Sequence, residues 1–274
     1  INRKMEKLLN EYSISVQQYV EKYELNQLIP YNGIKTKKKI NESVDIDNLE
    51  SFPPNWDDLV RMHKLVIERK IITILELGSG YSTVILAHAL NINKKNHANY
   101  VLNNLRRNNA YELHSLETYE KFIDTTSSYI PKNLKKIVNL YHEKVYMSEF
   151  QSRICTLYNR LPNISPDFIY LDGPDIYNVQ GDVRGISTRH PDTLPMSADI
   201  LAIEHFLLPG TMILVDGRTA NARFLASNFQ RNWSYSHDVE NDVHYFEMME
   251  QPLGKYNKKQ IEFCLGLDWY KNFN

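Results

Sequence analysis

The stretch Ile74-Leu75-Glu76-Leu77-Gly78-Ser79-Gly80-Tyr81-Ser82-Thr83 joins an apolar run to two closely spaced glycines and then to a polar segment. This order predicts a buried strand, a tight turn and the start of a helix. Glycines at 78 and 80 allow the backbone to turn sharply and to approach a ligand, and a helix start offers unpaired N–H groups. The stretch therefore predicts a ligand-binding turn after the first strand of an α/β sheet.

Short apolar runs alternate with helical patterns on both sides of this turn, as in a parallel sheet covered on both faces. The predicted strands are Ile71–Leu77, Glu112–Leu116, Lys136–Leu140, Phe168–Leu171, Thr211–Val215, Trp233–Asp238 and His244–Met248. The predicted helices are Ser82–Leu90, Tyr119–Tyr129, Glu149–Leu157, Ala198–Leu207 and Asn221–Phe229. The expected fold is a doubly wound α/β sheet that is mostly parallel and ends in an antiparallel hairpin.

An N-terminal helical extension precedes this sheet. Apolar residues recur by threes and fours between Met5 and Tyr23, which indicates an amphipathic helix that either packs on the main domain or pairs with a second subunit. The polar stretch Pro30 to Phe52 reads as a linker, and Pro53-Pro54 opens a helix whose first turn carries Asp57 and Asp58. We therefore divide the chain into an extension over 1–52 and a catalytic domain over 53–274.

Composition narrows the class of function. The 274 residues include 32 Lys and Arg against 33 Asp and Glu, so no overall field attracts nucleic acid or an anionic membrane. The two cysteines, Cys155 and Cys264, lack the spacing of a metal or redox pair. No apolar run approaches the roughly 20 residues that span a bilayer. A reducing cytoplasm is the expected location.

The glycine turn departs from the dinucleotide-binding pattern, because Thr83 stands where a third small residue is required and Tyr81 is bulky. It resembles instead the first motif of class I S-adenosylmethionine-dependent methyltransferases, in particular the small-molecule O-methyltransferases, where an acidic residue comes two positions before the first glycine. The resemblance covers about residues 57–249. It implies S-adenosylmethionine as cofactor and a Rossmann-like methyltransferase fold, with the cofactor held by Glu76, Gly78, Ser79, Gly80, Ser82 and Thr83.

Two later positions also match the family. Glu117, after the second strand, corresponds to the acidic residue that accepts hydrogen bonds from both ribose hydroxyls, and capping of the next helix is its alternative role. Its distance from Glu76 exceeds the family's usual spacing, so we infer an insertion over Asn91–Asn109. Met147 falls in the stretch that lies along the adenine in the family, although ordinary core packing explains a methionine there equally well.

Strand-end carboxylates are the candidate catalytic groups. Asp172 follows the fourth strand and Asp216 the fifth, and carboxyl ends of parallel strands face the crevice where ligands bind. The catechol-type methyltransferases, which this sequence resembles, hold a magnesium ion at these two strand ends. In this sequence Gly217 replaces one of the ligands and Arg218 adds a positive charge, so we expect no metal. Asp172, which also borders the cofactor site, is the preferred base for the proton of the nucleophile, with Asp216, His237 and His190 as alternatives.

The segment from Asp175 to Ser197 has little periodicity, and a loop this long is usually functional or mobile. It leaves the fourth strand over the crevice and is the expected substrate-recognition loop. Its candidate acceptor contacts, together with one residue after the fifth strand, are Tyr177, Arg184, Arg189, His190 and Arg218. Arginines in this position suit a phosphate or carboxylate.

The leading hypothesis is methyl transfer from S-adenosylmethionine to an oxygen or nitrogen of a small polar metabolite, with anionic compounds of the sugar or nucleotide-linked sugar type as the candidates. A catalytically silent S-adenosylmethionine-binding regulatory module is the alternative. A nucleic-acid methyltransferase is disfavoured, because the chain lacks a basic face and the N/D-P-P-Y/F/W signature. We expect a small-molecule partner, no nucleic acid and no membrane, and the N-terminal helix is the candidate contact for a homodimer.

Overall fold

The structure is a computed structural model that describes residues 15–29 and 54–273. Its α-helices are α1 (Val16–Lys22), α2 (Trp56–Glu68), α3 (Tyr81–Asn104), α4 (Glu120–Tyr129), α5 (Asp199–Ile203), α6 (Thr219–Asn228) and α7 (Gly254–Cys264). Its strands are β1 (Thr73–Leu77), β2 (Glu112–Glu117), β3 (Val138–His142), β4 (Val145–Phe150), β5 (Arg153–Tyr158), β6 (Phe168–Leu171), β7 (Val179–Gln180), β8 (Met212–Asp216), β9 (Trp233–Asp238) and β10 (Val243–Met248). Short 3-10 helices occupy Leu25–Gln27, Glu204–Phe206 and Leu267–Phe273.

Seven strands form one sheet in the order β3-β2-β1-β6-β8-β10-β9. The pairs from β3 to β8 are parallel, whereas β10 runs antiparallel to β8 and to β9. The predicted doubly wound sheet with an antiparallel C-terminal hairpin is confirmed. The chain places β2 and β3 on one side of β1 and places β6 and β8 on the other, so the strand order reverses between β1 and β6. Open α/β sheets bind their ligands at this reversal.

Two apolar layers cover the sheet. One layer packs α2 and α3 against Ile74 and Leu214, and we call this side the α3 face. The other packs α5, α6 and the β4-β5 hairpin against Leu75 and Val215, and we call it the α6 face. Because side chains alternate along a strand, neighbouring residues of β1 and β8 are buried on opposite faces.

The predicted helix over Glu149–Leu157 is wrong, because this segment forms the antiparallel hairpin of β4 and β5. Gln151 and Ser152 connect the two strands and both have positive φ, 48° and 63°, which is the backbone of a type I′ turn. Asn and Gly are the residues that usually announce such a turn, and neither is present. The hairpin joins β7 in a separate three-stranded sheet on the α6 face.

The inferred insertion after the glycine turn is mostly helical. Helix α3 continues past the predicted end at Leu90 to Asn104, for a length of 24 residues. Asn93 is buried within it and donates from its amide to the carbonyls of Val66 and Ile71, at 2.9 and 3.0 Å. These hydrogen bonds attach the helix to the segment that leads into β1, so the added residues extend a core element.

The described part of the N-terminal extension packs on the main domain. Ser15 and Gln18 form a capping box at the start of α1. The hydroxyl of Tyr19 lies 3.0 Å from Nδ1 of buried His63 on α2, and Nε2 of His63 lies 2.9 Å from Nδ1 of His88 on α3. Residues Met5 to Tyr12 of the predicted helix and the linker Pro30–Phe52 lie outside the described residues. No helix in the described ranges has the length and apolarity to cross a membrane.

The ends of β1 and β6 are in direct backbone contact. The carbonyl of Leu77 accepts N–H groups from Asp172 and Gly173, at 2.9 and 2.5 Å. Gly78 has φ +101°, and a Cβ on it would lie 2.9 Å from the nitrogen of Gly173. At Gly80, with an extended φ of 165°, a Cβ would meet no atom within 4 Å. Only the first glycine of the turn is therefore required by packing.

We expect Gly78→Ala to lower the free energy of unfolding by about 1–3 kcal/mol, because the new methyl group meets backbone that cannot retreat and φ is unfavourable for alanine. Gly80→Ala is the matched control and should leave the free energy of unfolding within about 0.5 kcal/mol of the wild type. Urea unfolding of both variants measures the difference. Equal stability of the two variants would contradict the packing argument.

Candidate functional site

The candidate site lies at the carboxyl ends of β1, β2, β6 and β8, where the strand order reverses. Helix α3 starts at Tyr81, directly after the turn that Gly78 and Gly80 form. The space beside Gly80 is open. Open space next to the N–H groups at the start of a long helix is a suitable environment for a polar or negatively charged group of a ligand.

Glu76, near the end of β1, binds the first turn of α3. Its side chain is fully buried and accepts hydrogen bonds from the hydroxyls of Ser82 and Thr83, at 2.6 and 2.7 Å. Burial raises the pKa of Glu76 to about 7, although the hydroxyls of Ser82, Ser115 and Thr83 act against this. The hydroxyls predicted to contact cofactor thus hold the carboxyl group of Glu76 in this structure, and they position the first turn of α3.

Glu117, at the end of β2, reaches across to the glycine turn. Its Oε2 accepts the N–H and the hydroxyl of Ser79, at 3.1 and 3.2 Å. Its Oε1 accepts the N–H groups of Thr118 and Tyr119, at 2.7 and 3.1 Å, immediately before α4. Burial raises the pKa of Glu117 against the effect of these backbone hydrogen bonds. The side chain therefore holds the backbone that leads into α4 and also fixes the position of Ser79.

Asp172 and Asp216 follow neighbouring parallel strands and lie on the α3 face, in register with Tyr170 and Leu214 two residues earlier. Asp172 is exposed, whereas Asp216 is half-buried and accepts a hydrogen bond of 3.0 Å from the hydroxyl of buried Tyr170. Burial, together with the charges of Asp58 and Asp172, raises the pKa of Asp216 to about 7. The site thus contains a carboxyl group that titrates near neutral pH.

The pKa of Asp172 is also raised. The first cause is desolvation by the protein around the cleft, which the charges of Glu76 and Glu117 reinforce and that of Arg218 opposes. Because the side chain of Asp172 is exposed, water screens part of this effect. Of the two strand-end aspartates, Asp216 is thus the more sheltered.

Arg218, predicted as an acceptor contact, binds the protein's own backbone. Its Nε donates to the carbonyl of Asp172 at 2.9 Å, and a terminal nitrogen donates to the carbonyl of Pro174. These bonds connect the end of β8 to the turn after β6. The guanidinium charge remains beside Asp172, where it would disfavour a divalent cation.

Two residues of α2 belong to the site and were missed from the sequence as functional groups. Asp58 and Arg61 form an ion pair of 2.5 Å, with side chains 16% and 10% exposed. Both charges act on Asp216, since Asp58 raises its pKa and Arg61 lowers it. The signal was available, because Asp58 and Arg61 are three residues apart on a helix that precedes β1.

The loop after β6 first crosses the end of β2. Asp175 accepts a hydrogen bond of 3.1 Å from the hydroxyl of Thr118, and the amide of Asn178 donates to the carbonyl of Thr118 at 2.6 Å. Tyr177, between them, is 38% exposed. The loop then forms β7, which pairs with β4. Met147, on β4, is partly buried and packs against the core of the α6 face. Contact of Met147 with adenine stays a prediction.

The remaining loop residues singled out from the sequence are exposed. Arg184 has a left-handed φ of 56° and no charged partner within the described residues. Arg189 pairs with Asp182 of the same loop at 3.6 Å, and both side chains are largely exposed. The backbone N–H of Asp192 donates to the ring of His190 at 3.2 Å. Binding of an acceptor by these three residues stays a prediction.

The structure does not bring His237 to the two aspartates. In the register of the sheet, His237 lies opposite His244, and His244 lies opposite Val215. Because Val215 packs on the α6 face, the two histidine side chains lie on that face as well. Asp216 pairs with Val243 and faces the opposite side of the sheet. The interpretation of His237 as an alternative base at the crevice is therefore corrected. A one-residue difference in strand position reverses the face, and the sequence alone did not fix it.

No protein-family model matches the chain, and no curated protein matches it. Among solved structures, it is similar to the O-methyltransferase TomG from Streptomyces achromogenes in complex with SAM, at 13% identity and a TM-score of 0.39 over 71% of this chain and 80% of that one. It is also similar to an O-methyltransferase from Bacillus cereus in complex with SAH, at 13% identity and a TM-score of 0.38 over 89% and 94%.

A SAH-bound methyltransferase from Podospora anserina has 14% identity and a TM-score of 0.42, over 84% of this chain and 87% of that one. All three similarities are distant, so the activity proposed below rests on this chain's own residues.

The raised pKa of Asp216 predicts a pH-dependent effect of Asp216→Asn. Because the folded protein binds this proton more tightly than the unfolded chain, its stabilising contribution is present below about pH 4 and is lost as pH rises through about 7. We expect the variant to be more stable than the wild type at pH 8, with a gain that shrinks towards pH 5. Urea unfolding at several pH values measures this.

Asp238→Asn is the control, because we expect it to change the free energy of unfolding at pH 8 in the opposite direction. Despite the desolvation that burial imposes, hydrogen bonds from Asn241 lower the pKa of Asp238. Its carboxylate therefore stabilises the fold at neutral pH, and the asparagine variant should be less stable than the wild type at pH 8. A stability change in Asp216→Asn that is independent of pH would contradict the proposed titration.

Proposed function

We propose that the protein is an S-adenosylmethionine-dependent methyltransferase that acts on an oxygen or nitrogen atom of a small polar metabolite. The observation that carries this proposal is the open glycine turn at the reversal of strand order, flanked by the carboxyl groups of Glu117 and Asp172. Carboxyl groups beside the turn suit a ligand that combines hydroxyl groups with a positive charge.

The residues present fit this cofactor. Gly80 leaves room for a ligand at the start of α3, which a larger side chain would fill. The Ser79 hydroxyl also lies 3.3 Å from the hydroxyl of Thr126, so it can turn away from Oε2 of Glu117 and leave an acceptor position to a ribose hydroxyl. Asp172 is exposed towards the cleft and favours a cation. When bound, S-adenosylmethionine supplies an electrophilic methyl group.

The two strand-end aspartates supply the proton acceptor. The chain's part in such a transfer would be to hold the acceptor and to take the proton that the acceptor atom gives up when it is methylated. A carboxyl group with a pKa of about 7, such as Asp216, can take this proton at neutral pH. The Tyr170 hydroxyl holds that carboxyl group in place. Apart from removing this proton, the protein only has to hold the acceptor and the cofactor in line, and this requires no metal at the strand ends.

The acceptor is proposed to be small and anionic, of the sugar or nucleotide-linked sugar type. Arg61, next to Asp216, supports an anionic group near the proton acceptor. Arg184 and Arg189 offer two further guanidinium groups on the loop after β6. Guanidinium groups bind phosphate or carboxylate through paired hydrogen bonds.

We expect Glu117→Gln to weaken S-adenosylmethionine binding by about 1–3 kcal/mol, because an amide replaces an acceptor oxygen in a sheltered position. Gly80→Val should abolish binding by filling the open space, while the protein remains folded. Titration calorimetry with S-adenosylmethionine and with NAD measures both effects. NAD binding without a response to S-adenosylmethionine would overturn the proposal, and cofactor binding without turnover of any offered metabolite would favour the silent module.

Arg184→Ala and Arg189→Ala should raise the Michaelis constant for an anionic acceptor by about tenfold, the loss of one charge-assisted contact, and leave cofactor affinity unchanged. Steady-state kinetics on a phosphorylated acceptor and on its uncharged counterpart separate recognition from loop stability. Exposed Arg160 provides a matched control outside the loop, and Arg160→Ala should affect neither substrate. Equal losses on both acceptors in the loop variants would exclude anion recognition.

A further inference from the structure

A cluster of histidines and carboxylate lies on the α6 face at the turn between β9 and β10. His237, Asp242 and His244 each present a ligand atom, and these atoms all lie within 4.8 Å of one another. Nε2 of His237 is 3.5 Å from Oδ1 of Asp242, and Nε2 of His244 is 4.0 Å from the same oxygen. Among the described residues, no other group of three or more His, Cys, Asp or Glu side chains is as close.

The two imidazoles are held so that both Nε2 atoms approach one carboxylate. Their rings stack with centroids 3.9 Å apart and an interplanar angle of 19°. His244 is fully buried. Nε2 of His237 is buried and has no hydrogen-bond partner within the described residues. An unpartnered buried nitrogen facing a carboxylate is costly unless something binds it.

Residues around the cluster hold the rings as outer ligands do in metal sites. The hydroxyl of Tyr235 lies 3.0 Å from Nδ1 of His244, so this nitrogen can donate to Tyr235 when Nε2 exchanges its contact with the Thr219 hydroxyl for a metal ion. The hydroxyl of Thr219, at the start of α6, lies 3.0 Å from both Oδ1 of Asp242 and Nε2 of His244. Thr219 therefore borders the same point in space.

We propose that His237, Asp242 and His244 form a binding site for one divalent transition-metal ion of the Zn²⁺ class. Two imidazoles and one carboxylate are borderline ligands that suit zinc and are unsuited to Mg²⁺ or Ca²⁺, which prefer all-oxygen sites. The site is separate from the crevice, because it lies on the opposite face of the sheet from Asp216.

The geometry requires a small contraction on binding. Tetrahedral zinc, with bonds of about 2.0–2.1 Å, brings its donors to about 3.3 Å of one another. Asp242 is 59% exposed at a turn, and His237 is on the edge strand β9, so both side chains can move towards the buried His244. The exposed side of Asp242 leaves the fourth position to water or to Thr219.

Metal binding at this position would stiffen the end of β8. The carbonyl of Asp242 accepts the N–H of Gly217 at 2.9 Å, and Gly217 lies between Asp216 and Arg218. An ion that ties Asp242 to β9 and β10 thus restrains the turn that binds the backbone beside Asp216. The site is structural, and it does not depend on the proposed methyl transfer.

Tag-free full-length protein, treated with EDTA and dialysed, is titrated with ZnCl₂ by calorimetry, and Co²⁺ provides a visible spectrum of the site. We expect one zinc ion per chain, a rise in the melting temperature on binding, and a tetrahedral Co²⁺ spectrum. His237→Ala and Asp242→Asn should each weaken binding by at least tenfold. Tyr235→Phe should weaken it 10–100-fold, because the ring of His244 loses its partner.

His205→Ala is the control for binding to surface histidines, because His205 is exposed and distant in sequence from the cluster. Asp216→Asn is the control for binding at the crevice. Both variants should bind zinc as the wild type does. Three outcomes would overturn the proposal. The wild type and His237→Ala could bind zinc with the same affinity, His205→Ala could weaken zinc binding as much as His237→Ala does, or Asp216→Asn could abolish zinc binding. Circular dichroism of each variant confirms that it is folded.

Discussion

The contact between the ends of β1 and β6 is the constraint on which the site depends. One carbonyl, that of Leu77, accepts two N–H groups from the turn after β6, and Gly78 lies against Gly173 with no room for a side chain. This contact sets the distance between the turn that begins α3 and the turn that carries Asp172. Arg218 binds the second turn from the side of β8. The crevice is therefore defined by backbone, and its side chains are placed on a rigid frame.

The buried carboxyl groups at this crevice lower the stability of the folded protein when they are ionised. Burial raises the pKa of Glu76 and Asp216 to about 7, and each is kept in place by hydroxyl donors from Ser82, Thr83 or Tyr170. Such groups destabilise the fold when they are ionised, and sites of reaction commonly contain them. The buried hydroxyls explain how the protein retains these carboxyl groups in a defined position.

The sequence predicted the parts of the fold that local patterns determine. The β1 turn, the parallel strands and the C-terminal hairpin were readable because apolar runs and glycines act over a few residues. The β4-β5 hairpin was missed, because Gln151 and Ser152 adopt a turn that their residue types do not favour. The site was predicted only in part: Asp172, Asp216 and Glu117 lie at strand ends, whereas Arg61 joins them through tertiary packing of α2. The face of His237 depends on register, which composition does not reveal.

The buried connection from Tyr19 through His63 to His88 has a consequence for where the folding unit begins. Val20, Leu25 and Ile29 are fully buried in the same apolar layer as α2 and α3. A fragment that starts at residue 53, the boundary suggested by the polar stretch, would lose these side chains and leave Nδ1 of His63 without the Tyr19 hydroxyl inside a dry interior. Residues 15–29 are thus an integral part of the core, and a chain cut between residues 29 and 54 would remain a nicked complex rather than release a free domain.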